Sequence, residues 1–225
     1  MSDRAYLPAL RFPALTRFFD PLVGLAMPER RFKGALVGQA APGPGQRVLD
    51  IGCGTGTLAL MVKEAEPEAE VVGLDADSEI LERARAKAER AGVEIEFDEG
   101  LSTELPYEER SFDLVLSTLF FHHLTGADKR ATAAEIDRVL RPGGELHVAD
   151  WGRQPDPLMR AAIMSVRLFD GFEQTRDNVV GALPEIFEEA GLERPAETDR
   201  LRTVFGSLSL YRARRPADGE RRPGR

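Results

Sequence analysis

The sequence contains a single cysteine, Cys53, and lacks any apolar run of about 18 residues, the length that a transmembrane helix needs. A lone cysteine excludes a disulfide within the chain and a cluster of cysteine metal ligands. The first residues, MSDRAYLPALRF, carry charges and a proline where a signal peptide requires an uninterrupted apolar stretch. We therefore expect a cytoplasmic protein without a membrane-spanning segment.

Basic residues are too few for a nucleic-acid-binding protein. The chain has 38 acidic and 30 basic residues and a net charge of −8, whereas binding to phosphate backbones needs a basic face. The basic residues are concentrated only in the stretch 214–225, where proline and glycine are interleaved with arginine. We expect this stretch to be a disordered tail, and we do not expect nucleic acid to be a partner.

Strands and helices alternate along most of the chain. The apolar runs RVLDIG, EVVGLD, VEIEFDEG, FDLVLSTLFF and GELHVADW predict five strands. The segments between them predict helices, including SEILERARAKAERAG with Gly92 as its C-cap. Two helical stretches follow the fifth strand, over roughly 156–171 and 175–190. Two β-rich runs around Phe205 and Gly206 predict a final hairpin. This alternation indicates an α/β fold with a parallel sheet between two helical layers, whose ligand site lies beyond the carboxyl ends of the strands.

The pattern also predicts how the chain is divided. Residues 1–40 are apolar and broken by prolines, and we expect them to form an N-terminal helical lid. Residues 41–213 are expected to form the ligand-binding domain, in which the helical segment 155–191 is an insertion that caps the substrate pocket. The stretch 214–225 is the predicted tail.

A glycine-rich loop, DIGCGTGT, follows the first predicted strand. Gly52, Gly54 and Gly56 are spaced GxGxG, which differs from the GxxxxGK[ST] of a P-loop and the GxGxxG of a dinucleotide-binding loop. We expect this spacing to keep the loop flat and exposed, so that it suits a sulfonium ligand better than a pyrophosphate. Asp75 ends the second predicted strand about twenty residues later, where a carboxylate can accept hydrogen bonds from both hydroxyls of a ribose.

Four motifs occur in a fixed order: VLDIGCGTGTLAL, VVGLDADSEILERA, GLSTELPYEERSFDLVLSTLFFHHL and LRPGGELHVADW. With them the chain resembles the class I S-adenosylmethionine-dependent methyltransferases over roughly residues 30–213, and within that class the ubiquinone/menaquinone C-methyltransferase group. The resemblance implies a Rossmann-like, mostly parallel seven-stranded sheet of order 3-2-1-4-5-7-6 with helices on both faces. It also implies that the cofactor is S-adenosyl-L-methionine and the product S-adenosyl-L-homocysteine.

The resemblance assigns residues to the cofactor site. Asp50 orients the methionine end, Ala76 flanks the adenine, and the backbone of Ser117 contacts the methionine amino group. One position departs from the family pattern, because Leu101 stands where many members have an aspartate that binds the adenine amine. We expect Leu101 to pack on the adenine and Ser102 to donate its backbone N–H. The full cofactor-binding set is Asp50, Gly52, Gly54, Gly56, Asp75, Ala76, Leu101, Ser102 and Ser117.

Two histidines and an aspartate are predicted to be catalytic. His122 and His123 follow the fourth strand directly, and one of them can accept a proton from a hydroxyl or enol nucleophile. The alternative is a structural pair at a helix start. The resemblance favours His122, because the first histidine of such pairs lies nearer the cofactor. Asp150, at the end of the fifth strand, either orients the substrate or a histidine, or caps the next helix.

No metal is expected, because Ser117 and the pair Asp150 and Trp151 stand where metal-dependent catechol methyltransferases have ligands. What remains is metal-free methylation of a small molecule by in-line displacement. Methionine and phenylalanine residues in the 155–191 insertion suggest that the molecule is apolar or aromatic. The alternatives are a non-catalytic S-adenosylmethionine-binding regulatory protein and, less favoured, a nicotinamide-dependent oxidoreductase. The sequence leaves a homodimer open.

Overall fold

A mostly parallel sheet organises the described part of the chain, residues 29–219 of a computed structural model. Its seven strands have the order β3-β2-β1-β4-β5-β7-β6. Strands β1 to β5 are parallel to one another, whereas β7 runs antiparallel to both β5 and β6. The strand order and the reversed last strand confirm the prediction. The strands are β1 (Arg47–Ile51), β2 (Glu70–Asp75), β3 (Glu96–Glu99), β4 (Phe112–Thr118), β5 (Leu140–Trp151), β6 (Glu193–Thr203) and β7 (Gly206–Arg214).

Helices cover both faces of the sheet, so the central strands are buried on both sides and consist of nearly continuous apolar runs. One buried cluster joins the sheet to four helices: α1 (Glu29–Ala40), α2 (Thr57–Ala65), α3 (Ser78–Ala91) and α5 (Pro157–Asp170). A second cluster on the other face includes α4 (Gly126–Val139) and α7 (Leu183–Glu189). Two short helices, the 3₁₀ helix Phe121–His123 and α6 (Arg176–Val180), complete the described elements.

Three predicted elements differ from the structure. β4 ends at Thr118 instead of continuing through both phenylalanines, because Leu119 adopts a left-handed backbone with φ of 52°. The helix predicted over 175–190 is two helices, interrupted by Gly181 at φ of 80°. The third strand is confined to Glu96–Glu99.

The C-terminal boundary also lies later than the sequence indicated. β7 continues through Arg214, and the next residue, Arg215, is buried with its guanidinium donating to the carbonyls of Arg138 and Leu140. The predicted tail from 214 onward therefore begins too early. Residues 1–28, which make up most of the predicted lid, and residues 220–225 lie outside the described residues. Among the residues described, no helix has the length and apolarity needed to span a membrane.

Candidate functional site

The glycine loop joins the carboxyl end of β1 to the start of α2. Gly52, Gly54 and Gly56 have φ of 67°, 54° and 71°, which places all three in the left-handed region that side chains disfavour. The backbone N–H groups of Gly52 and Cys53 both donate to the carbonyl of Leu74, at 2.8 and 3.0 Å. Backbone conformation alone therefore requires glycine at the three positions.

The surroundings of the three glycines differ. A Cβ added to Gly52 would lie 2.3 Å from the ring of Phe120, and one added to Gly56 would lie 2.9 Å from the ring of Phe97. Around Gly54 no described atom lies within 4 Å of the added Cβ. The prediction of an exposed loop is therefore correct at Gly54, whereas protein side chains cover Gly52 and Gly56.

Replacing Gly54 with Ala is expected to weaken binding of S-adenosylhomocysteine by about tenfold or more, because the new methyl group would occupy the space that a ligand needs. Gly45→Ala is the matched control, since Gly45 has a φ of 69° and equally open surroundings but lies before β1. Both variants carry a left-handed alanine, which costs about 1–2 kcal/mol of folding stability. Calorimetry should show weakened binding for Gly54→Ala alone, and equal losses in both variants would contradict the prediction.

Asp75 ends β2 beside the open glycine. Its Oδ2 accepts from the backbone N–H of Gly54 at 2.9 Å, and its Oδ1 accepts from the N–H of Asp77 at 3.1 Å. Asp77 is the N-cap of α3, with hydrogen bonds from the N–H groups of the next turn. Asp75 is therefore not needed as a helix cap, and its half-buried carboxylate adjoins the exposed backbone together with Ala76.

Asp50, on β1, is a buried carboxylate. Its side chain is 1% exposed, and neither of its oxygens has a hydrogen-bond partner among the described residues. Burial raises the pKa of Asp50 to about 7, and the negative charge of Asp75 adds to this rise. The positive charge of Lys33 and the nearby backbone N–H of Ala59 oppose it, although that N–H does not reach either oxygen in hydrogen-bond geometry. An unpaired buried carboxylate is costly unless a donor reaches it. We therefore expect Asp50 to bind a cationic or N–H-donating group of a ligand.

The other residues predicted to bind the cofactor lie at neighbouring strand ends. Leu101 follows β3 and is 50% exposed, so its side chain is free to cover a flat ligand. Ser102 is buried with its hydroxyl 2.8 Å from that of Thr132. Ser117 is buried in β4 and donates its hydroxyl to the carbonyl of Ile51 at 2.9 Å. The two serine side chains are therefore engaged within the protein.

His122 and Asp150 form a buried pair at the ends of β4 and β5. Nδ1 of His122 lies 2.7 Å from Oδ1 of Asp150, which also accepts from the N–H of Trp151 at 2.7 Å. Its Oδ2 accepts from the N–H groups of Phe120 and His122 at 3.1 and 3.3 Å. Asp150 is 0% exposed. Its hydrogen bonds fix both the imidazole of His122 and the turn that carries it.

The pair is electrostatically coupled. Burial disfavours the charged imidazolium, but the nearby carboxylates outweigh burial and raise the pKa of His122. Burial likewise raises the pKa of Asp150, but the charge and hydrogen bond of His122 lower it below its usual value. An ionised Asp150 can only accept, so Nδ1 of His122 carries the hydrogen that it donates. The other ring nitrogen, Nε2, lies 3.6 Å from Oδ2 of Asp170.

Asp170, which the sequence analysis did not single out, adjoins both histidines from the end of α5. Its Oδ2 lies 3.6 Å from Nε2 of His122, and its Oδ1 lies 3.9 Å from Nδ1 of His123. Burial and the charge of His122 lower the pKa of His123, so its imidazole is neutral near pH 7. No motif or spacing links Asp170 to the histidines, because helix α5 is brought to them by tertiary packing.

Two further residues with reactive side chains lie inside the protein. Cys53 is buried, with burial raising the pKa of its thiol, in agreement with a packing role. His147 is buried between Gln39 and Glu145, at 2.9 and 3.1 Å, and burial lowers its pKa to about 4. The thiol of Cys53 lies near the carboxylates of Asp50 and Asp75, which add to the rise of its pKa, whereas the hydrogen-bond partners of His147 lie outside the candidate site.

The predicted insertion is partly exposed. Met159 on α5 is buried, whereas Met164 and Phe172 are exposed, as are Leu158 and Leu168 on the same helix.

A surface cavity of about 830 Å³ lies at the other end of the strands from the glycine loop, near Arg47, Lys63 and Arg85. Lys63 and Arg85 already donate to backbone carbonyls there. The carboxyl ends of the strands therefore hold the candidate site.

Comparison with known proteins finds similarity to methyltransferases. A family model described as a methyltransferase domain matches residues 48–144. A demethylmenaquinone methyltransferase from Deinococcus radiodurans is 39% identical over 118 residues, which are 52% of this chain and 48% of that protein. A 27-O-demethylrifamycin SV methyltransferase from Amycolatopsis mediterranei is 35% identical over 146 residues, 64% of this chain and 47% of that protein.

The solved structures are similar in fold. A SAM-dependent methyltransferase from Aquifex aeolicus superposes with a TM-score of 0.64 at 19% identity, covering 87% of this chain and 97% of that one. The chain spans about half the length of the curated relatives it matches.

Proposed function

We propose that this chain, which contains a class I S-adenosylmethionine-dependent methyltransferase domain, transfers a methyl group from S-adenosylmethionine to a small apolar or aromatic acceptor. The transfer is an in-line displacement that uses no metal ion. The catalytic candidates are His122, His123 and Asp150.

The observation that carries the proposal is the unpartnered carboxylate of Asp50. It lies near the carboxylate of Asp75, which accepts from the N–H of Gly54 beside open space. S-adenosylmethionine fits this donor and acceptor pattern: its ammonium group suits Asp50, and its ribose hydroxyls suit Asp75. Exposed Leu101 is available for the adenine.

Methyl transfer from a sulfonium requires few catalytic groups of the protein. When bound, S-adenosylmethionine supplies a methyl group on a sulfonium whose leaving group is already activated. The protein must hold the acceptor in line and exclude water. For a hydroxyl or enol acceptor, Nε2 of His122 receives the proton, while Asp150 acts as a positioning residue that holds Nδ1.

His122 is favoured over His123 as the proton acceptor. His122 is fixed by a carboxylate, as in other catalytic bases, whereas a histidine with a lowered pKa is a weaker base near neutral pH. This pair also favours an enzyme over a non-catalytic regulatory protein, because binding the cofactor alone does not need a proton acceptor beside it.

The acceptor class rests on exposed apolar side chains on and just after α5. Met164, Leu168 and Phe172 are exposed around the end of α5 that carries Asp170, and they suit an apolar or aromatic molecule. That residues 1–40 close over this crevice as a lid stays a prediction, as do a cytoplasmic location and a homodimer.

The proposal is tested by calorimetric binding of S-adenosylhomocysteine to wild type and Asp75→Ala. Loss of the ribose acceptor is expected to weaken binding by about ten- to a hundredfold, since a hydrogen bond to a charged group contributes about 1.5–3 kcal/mol. Asp77→Asn is the matched control, because asparagine retains an oxygen that caps α3. Wild-type affinity in Asp75→Ala would contradict the assignment. Methylation itself is tested by release of S-adenosylhomocysteine with a panel of quinols, phenols and amines.

A further inference from the structure

Three side chains at the mouth of the site point metal-ligand atoms at one another. Nε2 of His122 and Nδ1 of His123 face the two carboxylate oxygens of Asp170, at 3.6 and 3.9 Å. One ligand atom from each residue lies within 4.8 Å of the other two. Two imidazoles and one carboxylate form the ligand set of Zn²⁺ sites that keep an open fourth position.

The spacing is close to what a metal ion needs. Zn²⁺ bonds of about 2.0–2.2 Å place tetrahedral ligands about 3.3–3.6 Å apart, so the cluster must contract by on the order of 1 Å at its widest. The side chain of His123 is 32% exposed, and none of its ring nitrogens is hydrogen-bonded within residues 29–219. Its ring can therefore turn toward the others.

Asp150 fixes the orientation of His122 by contacting its other ring nitrogen. A metal-bound histidine commonly donates its second ring N–H to a carboxylate, which sets the tautomer and directs the lone pair at the metal. Nδ1 of His122 makes this contact with Asp150 at 2.7 Å, and backbone N–H groups hold Asp150 in place. The lone pair of Nε2 is thereby directed toward Asp170.

The charge of the cluster also suits a cation. Asp150 and Asp170 flank His122, and Lys129, which faces Asp150 from α4, is already paired with Asp177 at 3.6 Å. Within the described range, the two imidazoles are the only basic side chains paired with Asp170. A divalent ion would balance both carboxylates while the two imidazoles are neutral.

We propose that His122, His123 and Asp170 bind a divalent transition-metal ion of the Zn²⁺ type, with Asp150 as the positioning residue for His122. Imidazole ligands favour Zn²⁺, Co²⁺ or Ni²⁺ over Mg²⁺ and Ca²⁺. The ion occupies the same nitrogen that receives the acceptor proton, so it competes with the acceptor and inhibits methyl transfer. The binding itself stands on the geometry of the cluster, whereas the inhibition rests on the proposed function.

The test is titration of the full chain, first treated with a chelator, with Zn²⁺ by calorimetry and with Co²⁺ by visible absorption. Wild type is expected to bind one ion per chain, with the Co²⁺ spectrum of a four-coordinate site. Asp170→Asn and His123→Gln are each expected to weaken Zn²⁺ binding by at least about tenfold. Asp156→Asn is the matched control, since Asp156 caps the other end of α5 and asparagine also caps helices.

The outcomes separate this proposal from the proposed function. Absence of Zn²⁺ binding in a wild type that binds S-adenosylhomocysteine would overturn the metal site, as would equal Zn²⁺ affinity in Asp170→Asn and wild type. Zn²⁺ binding that depends on Asp170, in a chain that fails to bind S-adenosylhomocysteine, would support the metal site and overturn the methyltransferase assignment. Circular dichroism of each variant establishes that a lost signal is not a lost fold.

Discussion

Asp50→Asn is expected to stabilise the ligand-free protein at pH 8 and to weaken binding of S-adenosylhomocysteine by about a hundredfold or more. The binding loss follows because removing one member of a buried charge pair costs about 3–5 kcal/mol. The stability gain follows because Asp50 has a folded-state pKa of about 7, well above the value of about 3.9 in an unfolded chain.

The sign of the pH dependence follows from that difference. An acid whose pKa is raised by folding does not destabilise the protein below pH 4, where it is protonated in both the folded and the unfolded state. The free energy of unfolding then falls as pH rises toward 7 and is constant above that pH. Above pH 7 the ionised Asp50 lowers the free energy of unfolding of the wild type by about 4 kcal/mol. The variant avoids this cost, but burying its asparagine amide without partners costs about 1–3 kcal/mol. Denaturation should therefore show Asp50→Asn to be about 1–3 kcal/mol more stable at pH 8 and no more stable at pH 4.

Ligand affinity of the wild type should depend on pH for the same reason. Below pH 7 Asp50 binds a proton and loses its attraction for an ammonium group, so affinity is expected to fall by about tenfold between pH 8 and pH 6. The charged groups that face Asp50 are Lys33 from α1 and Asp75 from β2, with the neutral thiol of Cys53 beside them. Asp50→Asn should remove this dependence.

Asp199→Asn is the control for both measurements, because Asp199 makes the same chemical change at an exposed position on β6. It should alter neither the stability difference between pH 4 and pH 8 nor the affinity. An Asp50→Asn variant that is less stable than wild type at pH 8, or that binds with unchanged affinity, would show that Asp50 does not stand ready for a cationic ligand.

Local sequence predicted the strands that are buried on both faces, because such strands are continuous apolar runs. β2 has the bounds that EVVGLD indicated, and β1 ends one residue before the glycine of RVLDIG. Prediction failed where tertiary contacts set the backbone. Leu119 turns left-handed where its N–H donates to Ala149 on β5, and the N–H of Phe120 donates to Asp150. Neither contact leaves a mark in the local sequence.

In the candidate site, too, the sequence predicted some residues and missed the contacts that depend on tertiary packing. Asp75 was predicted because it ends a strand about twenty residues after the glycine loop, and Asp50 because the family resemblance assigns it to the methionine end of the cofactor. Which glycine faces open space depends on where Phe97, on β3, and Phe120, in the turn after β4, pack against the loop. Asp170 belongs to a helix that follows the fifth strand, so its place beside His122 depends on how α5 packs on the sheet.

His122→Asn is expected to lower kcat by about 10²- to 10⁴-fold with a hydroxyl or enol acceptor, the usual contribution of a positioned base. Its affinity for S-adenosylhomocysteine should stay within about twofold of wild type, since no contact assigned to the cofactor involves the imidazole. The rates are measured by product release with whichever acceptor of the quinol and phenol panel is turned over. His147→Gln is the matched control, because His147 is buried away from the crevice between Gln39 and Glu145.

The companion variant Asp150→Asn separates positioning from mere support of the fold. If Asp150 acts through His122, the double variant should be no slower than His122→Asn alone, because residues that act as a unit are not additive. If Asp150 only stabilises the turn between β4 and the 3₁₀ helix, its effect on kcat should persist in the His122→Asn background. A full rate with His122→Asn would remove the proton acceptor from the mechanism and leave alignment of acceptor and sulfonium as the source of catalysis.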